Sequence, residues 1–381
     1  MPEITLESTR KSGIDWLLLG AALALSVLGV VTMSTFQSSN PFFVRQIIWV
    51  AVALGIFFGA SRVDWRFLRQ SEVAFIIYVF ATGLLLLLFI IGHVSHGAAS
   101  WFSLGFFTFE PAELANLALI VVLAKYFSRR HVAIANVRHI LVSGAYALIL
   151  FGAVALQPDF GGAIIVFFIW LGMVLVSGIS RMHLFVVFAI GAVAFAALWT
   201  FGFQQYQKER ILTFLHPLAD IQGAGYNAFQ STIAVGDGEL LGRGIGYGTQ
   251  SKLKFLPEYQ TDFIFAAFAE EWGFVGVMLV FALFGIIFWR LILAATRGAT
   301  NFEVLFTLGV LLYLAAHFAL HVGINLGLLP VTGTTIPFMS YGGTHLVIEF
   351  LALGIIAGMS RYSVTARPER LDREFSGGYD F

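Results

Sequence analysis

The sequence predicts an all-α integral membrane protein of about ten transmembrane helices, with one long extracytoplasmic loop between the seventh and eighth. Three observations predict it. Of 381 residues, 59% are hydrophobic and 12% charged, too few polar side chains to coat a water-soluble domain. Ten apolar segments each approach the roughly 20 residues that a helix needs to cross a bilayer core. The basic residues gather on one side of those segments, as they do in short cytoplasmic loops.

The segments lie near residues 14–33, 44–61, 72–92, 112–127, 138–156, 160–180, 182–202, 263–289, 303–327 and 343–361. Arg10 and Lys11 precede the first, which is a full span in length and is followed by no clear small-residue cleavage site. It reads as a retained helix. The fourth is the weakest, because its uncharged run from Leu114 to Ala124 is short and Glu113 must be accommodated with it. Residues 1–361 form one polytopic membrane domain, and residues 362–381 a charged cytoplasmic tail.

Orientation follows from the cations. Arg10, Lys11, Arg62, Arg66, Arg69, Lys125, Arg129, Arg130, Arg138, Arg181, Arg290, Arg297, Arg361, Arg367, Arg370 and Arg373 fall on one side, against Arg45 in the opposite short loops. Both termini are therefore expected in the cytoplasm, with the loop of about 203–262 outside. That loop holds Ile211, Phe214, Tyr226, Phe229 and Phe255, too apolar for free coil, so it should lie on the membrane or fold between helices. Lys+Arg and Asp+Glu tie at 22, which argues against nucleic acid as a partner. The absence of cysteine excludes thiolate chemistry and disulfides.

Charges kept at membrane depth cost about 2.5–3.5 kcal/mol each, so Glu113, Glu349, His317 and His321 are functional candidates, with Asp159, Asp262, Glu270 and Glu271 at helix ends. His317 and His321 share a helical face but enclose Phe-Ala-Leu, not the glutamate of a HExxH zinc site, so no metal is assigned to them. Gly242, Gly244, Gly246 and Gly248 lack the strand-to-helix frame of a nucleotide loop. Gly323xxxGly327 and Gly354xxxGly358 are helix-packing patterns. The densest cluster is GTQSKLKFLPEYQTDFIFAAFAEEWGFVG, from Gly248 to Gly276. Asp262 stands ahead of an apolar helix, where it is either an N-cap or an acid whose pKa is raised by Glu258 toward that of a general base.

LPEYQTDFIFAAFAEEWGFVG, ERILTFLHPLADIQGAGYNAFQSTIAVGDGELLGRGIGYGTQ and NLGLLPVTGTTIPFMSYGGTHL resemble the SEDS family of bacterial cell-wall proteins, as do FEPAELANL and QPDFGGA. The GTQS…LPE wording is nearer to the family's elongation branch, the RodA proteins, than to its division branch, the FtsW proteins. The resemblance implies a peptidoglycan glycosyltransferase of cell-wall biogenesis and cell shape. It would polymerise lipid II without a nucleotide, beside a class B penicillin-binding protein that cross-links the strands. It makes the aspartate of TDF, Asp262, catalytic and places Arg45, Glu113, Asp159 and Arg210 around the substrate. Gln250, Glu258 and Glu270 of the dense cluster join them as substrate-binding candidates. Two cations usual in the family are replaced, by Ser100 and Asn116, which leaves the charge on the diphosphate to Arg45 and the loop cations. A divalent cation, magnesium or manganese, is compatible with the carboxylates. The competing functions are a flippase or transporter of the lipid-linked precursor and a polymerase or ligase of another lipid-linked glycan.

Overall fold

Asp15 opens the first helix by accepting the Leu18 N–H at 3.1 Å, and the apolar run Trp16–Ser34 (α1) follows. The computed structural model describes residues 14–35, 41–91, 93–95, 98–103, 108–128, 137–216, 225–253 and 255–365. Arg10, Lys11, Arg129, Arg130, Lys254, Arg367, Arg370 and Arg373 lie outside the described residues, as does the tail beyond 365.

After α1 come Pro41–Ala60 (α2), Ser71–Ile91 (α3), Pro111–Ser128 (α4), Val137–Ala155 (α5), Phe160–Val176 (α6) and Arg181–Ala197 (α7). Gln205–Leu215 (α8), Tyr226–Asp237 (α9) and Thr249–Lys252 (α10) precede the last three long helices, Ile264–Thr296 (α11), Asn301–Asn325 (α12) and Gly343–Thr365 (α13). Among the described residues nine helices are long and apolar enough to cross a membrane, and α6, with 17 residues, is a shorter apolar tenth. They coincide with the ten segments expected. One element was not expected. Between α3 and α4, His93–Ser95 (β1), Ala98–Ser103 (β2) and Thr108–Phe109 (β3) pair antiparallel in the order β1-β2-β3, which satisfies backbone groups that no helix takes up.

The weakness of the fourth segment has a structural cause. Helix α4 is central, packed on α3, α12 and α6, and Ala112 to Ala124 are buried except Leu114. It meets protein where its neighbours meet lipid, so it needs less apolarity. Helix α7 is the opposite case and buries no residue, as befits an apolar helix standing in lipid. Gly354 and Gly358 let α13 lie close on α2, since a Cβ at Gly354 would stand 2.8 Å from Ala60 Cβ.

Helix α11 is broken. Gly273 has φ 65° and ψ −167°, a left-handed conformation that leaves the amides after it and the carbonyls before it without helical partners. The glycine-rich loop enters the gap and supplies them. Phe274 and Val275 N–H donate to Glu239 and Leu240 carbonyls, while Arg243 and Gly244 N–H donate to Glu270 and Glu271 carbonyls. The approach is so close that a Cβ on Gly242 would lie 2.1 Å from the Glu271 carbonyl oxygen. Ile264 to Glu271 is buried throughout, whereas beyond the break only Gly276, Val280, Phe284, Ile287, Leu291 and Ala295 are, one face of a spanning helix.

Ion pairs fix the end of the bundle remote from Asp262. Arg290 of α11 meets Asp15 at 2.6 Å, and Arg69 pairs with Glu303 at the start of α12. The basic residues Arg69, Lys125 and Arg290 share that end.

Candidate active site

The turn that carries Asp262 is built from backbone. Thr261, Asp262 and Phe263 N–H all converge on the Glu258 carbonyl, at 3.1, 3.0 and 3.2 Å. Asn325, the last residue of α12, then donates Nδ2–H to the Asp262 carbonyl at 3.0 Å and accepts the Ala266 N–H on Oδ1 at 3.1 Å, satisfying an orphan amide of the first turn of α11. Ser340 Oγ–H donates to the Thr261 carbonyl at 2.9 Å, and Tyr341 N–H to that of Gln260 at 2.9 Å. Gln46, buried on α2, holds the Ser340 carbonyl at 3.0 Å. Arg45 precedes it, exposed at the same end of the bundle.

Asp262 is not the N-cap. Phe263 occupies that position, with no side-chain bond to the helix, so the half-buried carboxylate of Asp262 is left for other work. Burial raises its pKa from 3.8 to about 7, and the like charges of Glu258 and Asp159 add to this, against a Thr261 hydrogen bond and the Arg210 guanidinium. The influence expected of Glu258 is present, but burial exceeds it. Glu258 itself is exposed.

Asp159 caps α6, accepting the Gly162 N–H at 2.9 Å. Burial carries its pKa up to about 6, with Glu113 pushing the same way and the Gly162 amide and Arg210 opposing. Arg210, exposed on α8, thus acts on both aspartates. Residues 159, 210 and 262, far apart in sequence, form one electrostatic group.

Glu110 belongs beside them, and sequence reasoning missed it. Burial and the charges of Glu113 and Asp159 hold its carboxyl well above the usual range, while Trp101 Nε1–H donates to it at 3.2 Å. Its signal was its place directly before the helix-starting Pro111, outside the apolar run in which acids were sought. Asn325 and His345 were missed as well. Each stands in the quoted NLGLLPVTGTTIPFMSYGGTHL, and their partners are distant in sequence.

Two expected contacts are corrected. Glu113, expected around the substrate, is buried with both oxygens engaged: Oε1 lies 2.9 Å from His345 Nδ1, and Oε2 accepts the Tyr313 hydroxyl at 2.5 Å. Glu270, proposed to bind substrate, is fully enclosed and accepts Thr249 Oγ1–H at 3.0 Å and Gln250 N–H at 2.9 Å. The reason is the break in α11, which brings the glycine-rich loop onto this acid. Glu271 likewise accepts Thr35 Oγ1–H at 2.7 Å and Gly246 N–H at 3.0 Å. Gln250 contributes its backbone to that clamp, and its half-buried side chain keeps an unpartnered Oε1.

At one end of the bundle, then, stand a partly accessible carboxylate with a pKa near neutrality, a second acid, and an exposed guanidinium whose charge acts on both. Such a set can take a proton from a hydroxyl and steady an anion beside it.

The family model for cell cycle proteins of the FtsW, RodA and SpoVE type matches residues 11–365. Stage V sporulation protein E of Bacillus subtilis is 33% identical over 369 residues, covering 93% of this chain and 99% of its own. Peptidoglycan glycosyltransferase MrdB of Escherichia coli is 35% identical over 280 residues, 74% of this chain and 75% of its own. Among solved structures, a chain from a peptidoglycan synthase complex described as coordinating polymerization and crosslinking superposes with a TM-score of 0.80 at 31% identity, covering 92% of this chain and 98% of that one. The rod shape determining protein RodA of Thermus thermophilus gives 0.69 at 29%, covering 91% and 97%. The fold, the motifs and the extent of these matches agree, and the chain belongs to the FtsW, RodA and SpoVE family of cell cycle proteins.

Proposed function

We propose that this protein polymerises lipid II as a peptidoglycan glycosyltransferase, with Asp262 as its general base. Relatives bearing that activity in their names support the reaction class. The observation that carries the residue assignment is the half-buried Asp262 carboxylate, relieved of helix capping, with a pKa near 7 and in the field of the Arg210 guanidinium.

In the proposed reaction the acceptor sugar's 4-hydroxyl oxygen attacks the anomeric carbon of the donor, whose bond to the diphosphate breaks with inversion from α to β. The hydroxyl proton passes to Asp262, a step worth roughly 10²–10⁴ in rate. The leaving polyprenyl diphosphate is a weak base and needs positive charge more than a proton. Arg210 and Arg45 supply it, since a guanidinium grips phosphate oxygens in pairs and stays ionised. A magnesium or manganese ion, when bound, would find hard oxygen donors in Asp262 and Asp159 and add charge there. Glu258 and Gln250 flank the acceptor, while Glu113 and Glu270 support the walls of the site.

Both termini lie in the cytoplasm and this site on the outer face, a reading supported by the positive-inside distribution. The partner is a class B penicillin-binding protein, a reading supported by the synthase complex to which the chain is similar. The role in elongation rests on the GTQS…LPE wording alone, because sporulation, division and elongation relatives match at 33–35% identity.

The decisive experiment incubates the purified protein in detergent with lipid II as sole substrate. Wild type forms β-1,4 strands, which a flippase cannot do, and Asp262→Ala, folded by circular dichroism, forms none. Strand synthesis by Asp262→Ala at the wild-type rate overturns the assignment.

A further inference from the structure

Beneath the outer acids lies a group of side chains that the transfer chemistry does not use. His317 and His321, one turn apart on α12, direct Nδ1 at consecutive carbonyls of the connection to α13, Thr335 at 3.3 Å and Thr334 at 2.7 Å. A ring that donates Nδ1–H to a carbonyl keeps its lone pair on Nε2, and in both rings Nε2 is buried without a hydrogen-bond partner. His345 of α13 stands beside His317, with ring centroids 4.8 Å apart. Its Nδ1 lies 2.9 Å from Glu113 Oε1, and its Nε2 faces Glu349 Oε1 at 2.9 Å without the alignment of a hydrogen bond. One ligand atom from each of Glu113, His317 and His345 falls within 4.8 Å of the others.

We propose that Glu113, His317 and His345 bind a divalent first-row transition metal, with zinc the best-suited ion, and that it fastens α4, α12 and α13 together beneath the outer site. Two imidazoles and one carboxylate are a known zinc donor set that leaves a fourth position open. A tetrahedral ion with bonds of about 2.0–2.1 Å sets its ligand atoms about 3.4 Å apart. The Glu113–His345 pair therefore opens by about half an ångström, and the farthest pair closes by no more than about 1.4 Å.

The groups that orient metal-bound imidazoles are already present: the Thr335 carbonyl for His317 Nδ1–H and the Glu349 carboxylate for His345 Nε2–H. The Tyr313 hydroxyl occupies Glu113 Oε2 at 2.5 Å and leaves Oε1 to the ion. A double positive charge also offsets the burial of Glu113 and Glu349, 5% and 0% exposed. The sequence showed the two histidines of α12 four residues apart with no third ligand between them. The second and third members come from α4 and α13, and His321 stays outside the set.

This site stands apart from the transfer reaction, and its test does not read activity. Full-length protein in detergent is stripped with a chelator, desalted and titrated with Co²⁺ while the visible d–d absorption is followed. Zn²⁺ is then added, and bound metal is counted by mass spectrometry. Wild type is expected to take up one equivalent, zinc to displace cobalt, and zinc to raise the melting temperature. His317→Gln and His345→Gln each weaken binding by about tenfold or more and abolish the zinc-dependent melting shift. His183→Gln, on α7, changes neither. Uptake below about a tenth of an equivalent by stripped wild type overturns the proposal without recourse to a variant. So does a cobalt spectrum and affinity in folded His317→Gln equal to those of wild type.

Discussion

Asn325 Nδ2 donates to the Asp262 carbonyl at 3.0 Å while its Oδ1 accepts the Ala266 N–H at 3.1 Å, so one amide at the end of α12 spans the turn between the proposed base and its helix. Asn325→Asp keeps the acceptor and loses the donor. The expected result is a folded protein whose kcat for strand synthesis falls by about ten- to a hundredfold, since displacements of an ångström in a reacting group carry penalties of that size. Asn325→Leu loses both bonds and strands a buried amide, at a cost of about 1–3 kcal/mol read as a lower melting temperature.

The pH profile follows from the ionisation of Asp262. A base works deprotonated, so the rate should rise with pH to a half-maximum near its pKa of about 7. Glu258→Gln removes a like charge that raises this pKa, so the rising limb moves to lower pH. Arg210→Gln removes a cation that lowers it, and the limb moves higher, together with a fall in kcat. Initial rates over a pH series for the three proteins check the signs.

Stability should move oppositely to activity at Asp262. Its folded pKa lies above its unfolded value of 3.8, so the stability this proton linkage contributes is fully present below pH 3.8 and is lost as pH rises through about 7. Above that pH the ionised carboxylate is held at a cost. Asp262→Asn should therefore melt a few degrees higher than wild type at pH 8, with the difference shrinking toward pH 5, while making no glycan. Thermal unfolding at the two pH values measures it.

Glu270→Ala removes the acceptor for Thr249 Oγ1–H and Gln250 N–H and frees the loop from the break in α11. Limited proteolysis should then cut within residues 239–253 faster than in wild type, with a lower melting temperature. Gly273→Ala should be more damaging. Its φ of 65° is costly for alanine, by about 1–3 kcal/mol, and the new Cβ would lie 2.2 Å from the Gly242 nitrogen. Loss of monodisperse protein on size exclusion is the expected outcome.

The spans were legible because lipid imposes length and apolarity on each segment by itself, and even α4, the weakest, kept an uncharged run from Leu114 to Ala124. The raised pKa of Asp262 was legible for a related reason: an acid near a second acid, ahead of an apolar helix, is a local pattern. What escaped was convergence. Glu110, Asn325 and His345 act through partners 49 to 234 residues away in Thr344, Asp159, Asp262 and Glu113, and no spacing within a segment reports such meetings. The misplacement of Glu270 had the same origin, because EEWGFVG carries no local signal that the helix breaks at Gly273. The three strands between α3 and α4 escaped because β1 and β3 are three and two residues long and the six of β2, AASWFS, do not alternate apolar with polar.

The break in α11 also bears on how the protein meets membranes of different thickness. Only Phe274–Thr296 must match the hydrocarbon slab, and that part can tilt to absorb a mismatch costing fractions of a kcal/mol per ångström. The nine residues from Ile264 to Trp272 hang from the glycine-rich loop and from Asn325 instead. A thinner or thicker bilayer therefore tilts the anchoring half while the half that seats Asp262 keeps its place, a mechanical decoupling of the proposed site from its host lipid.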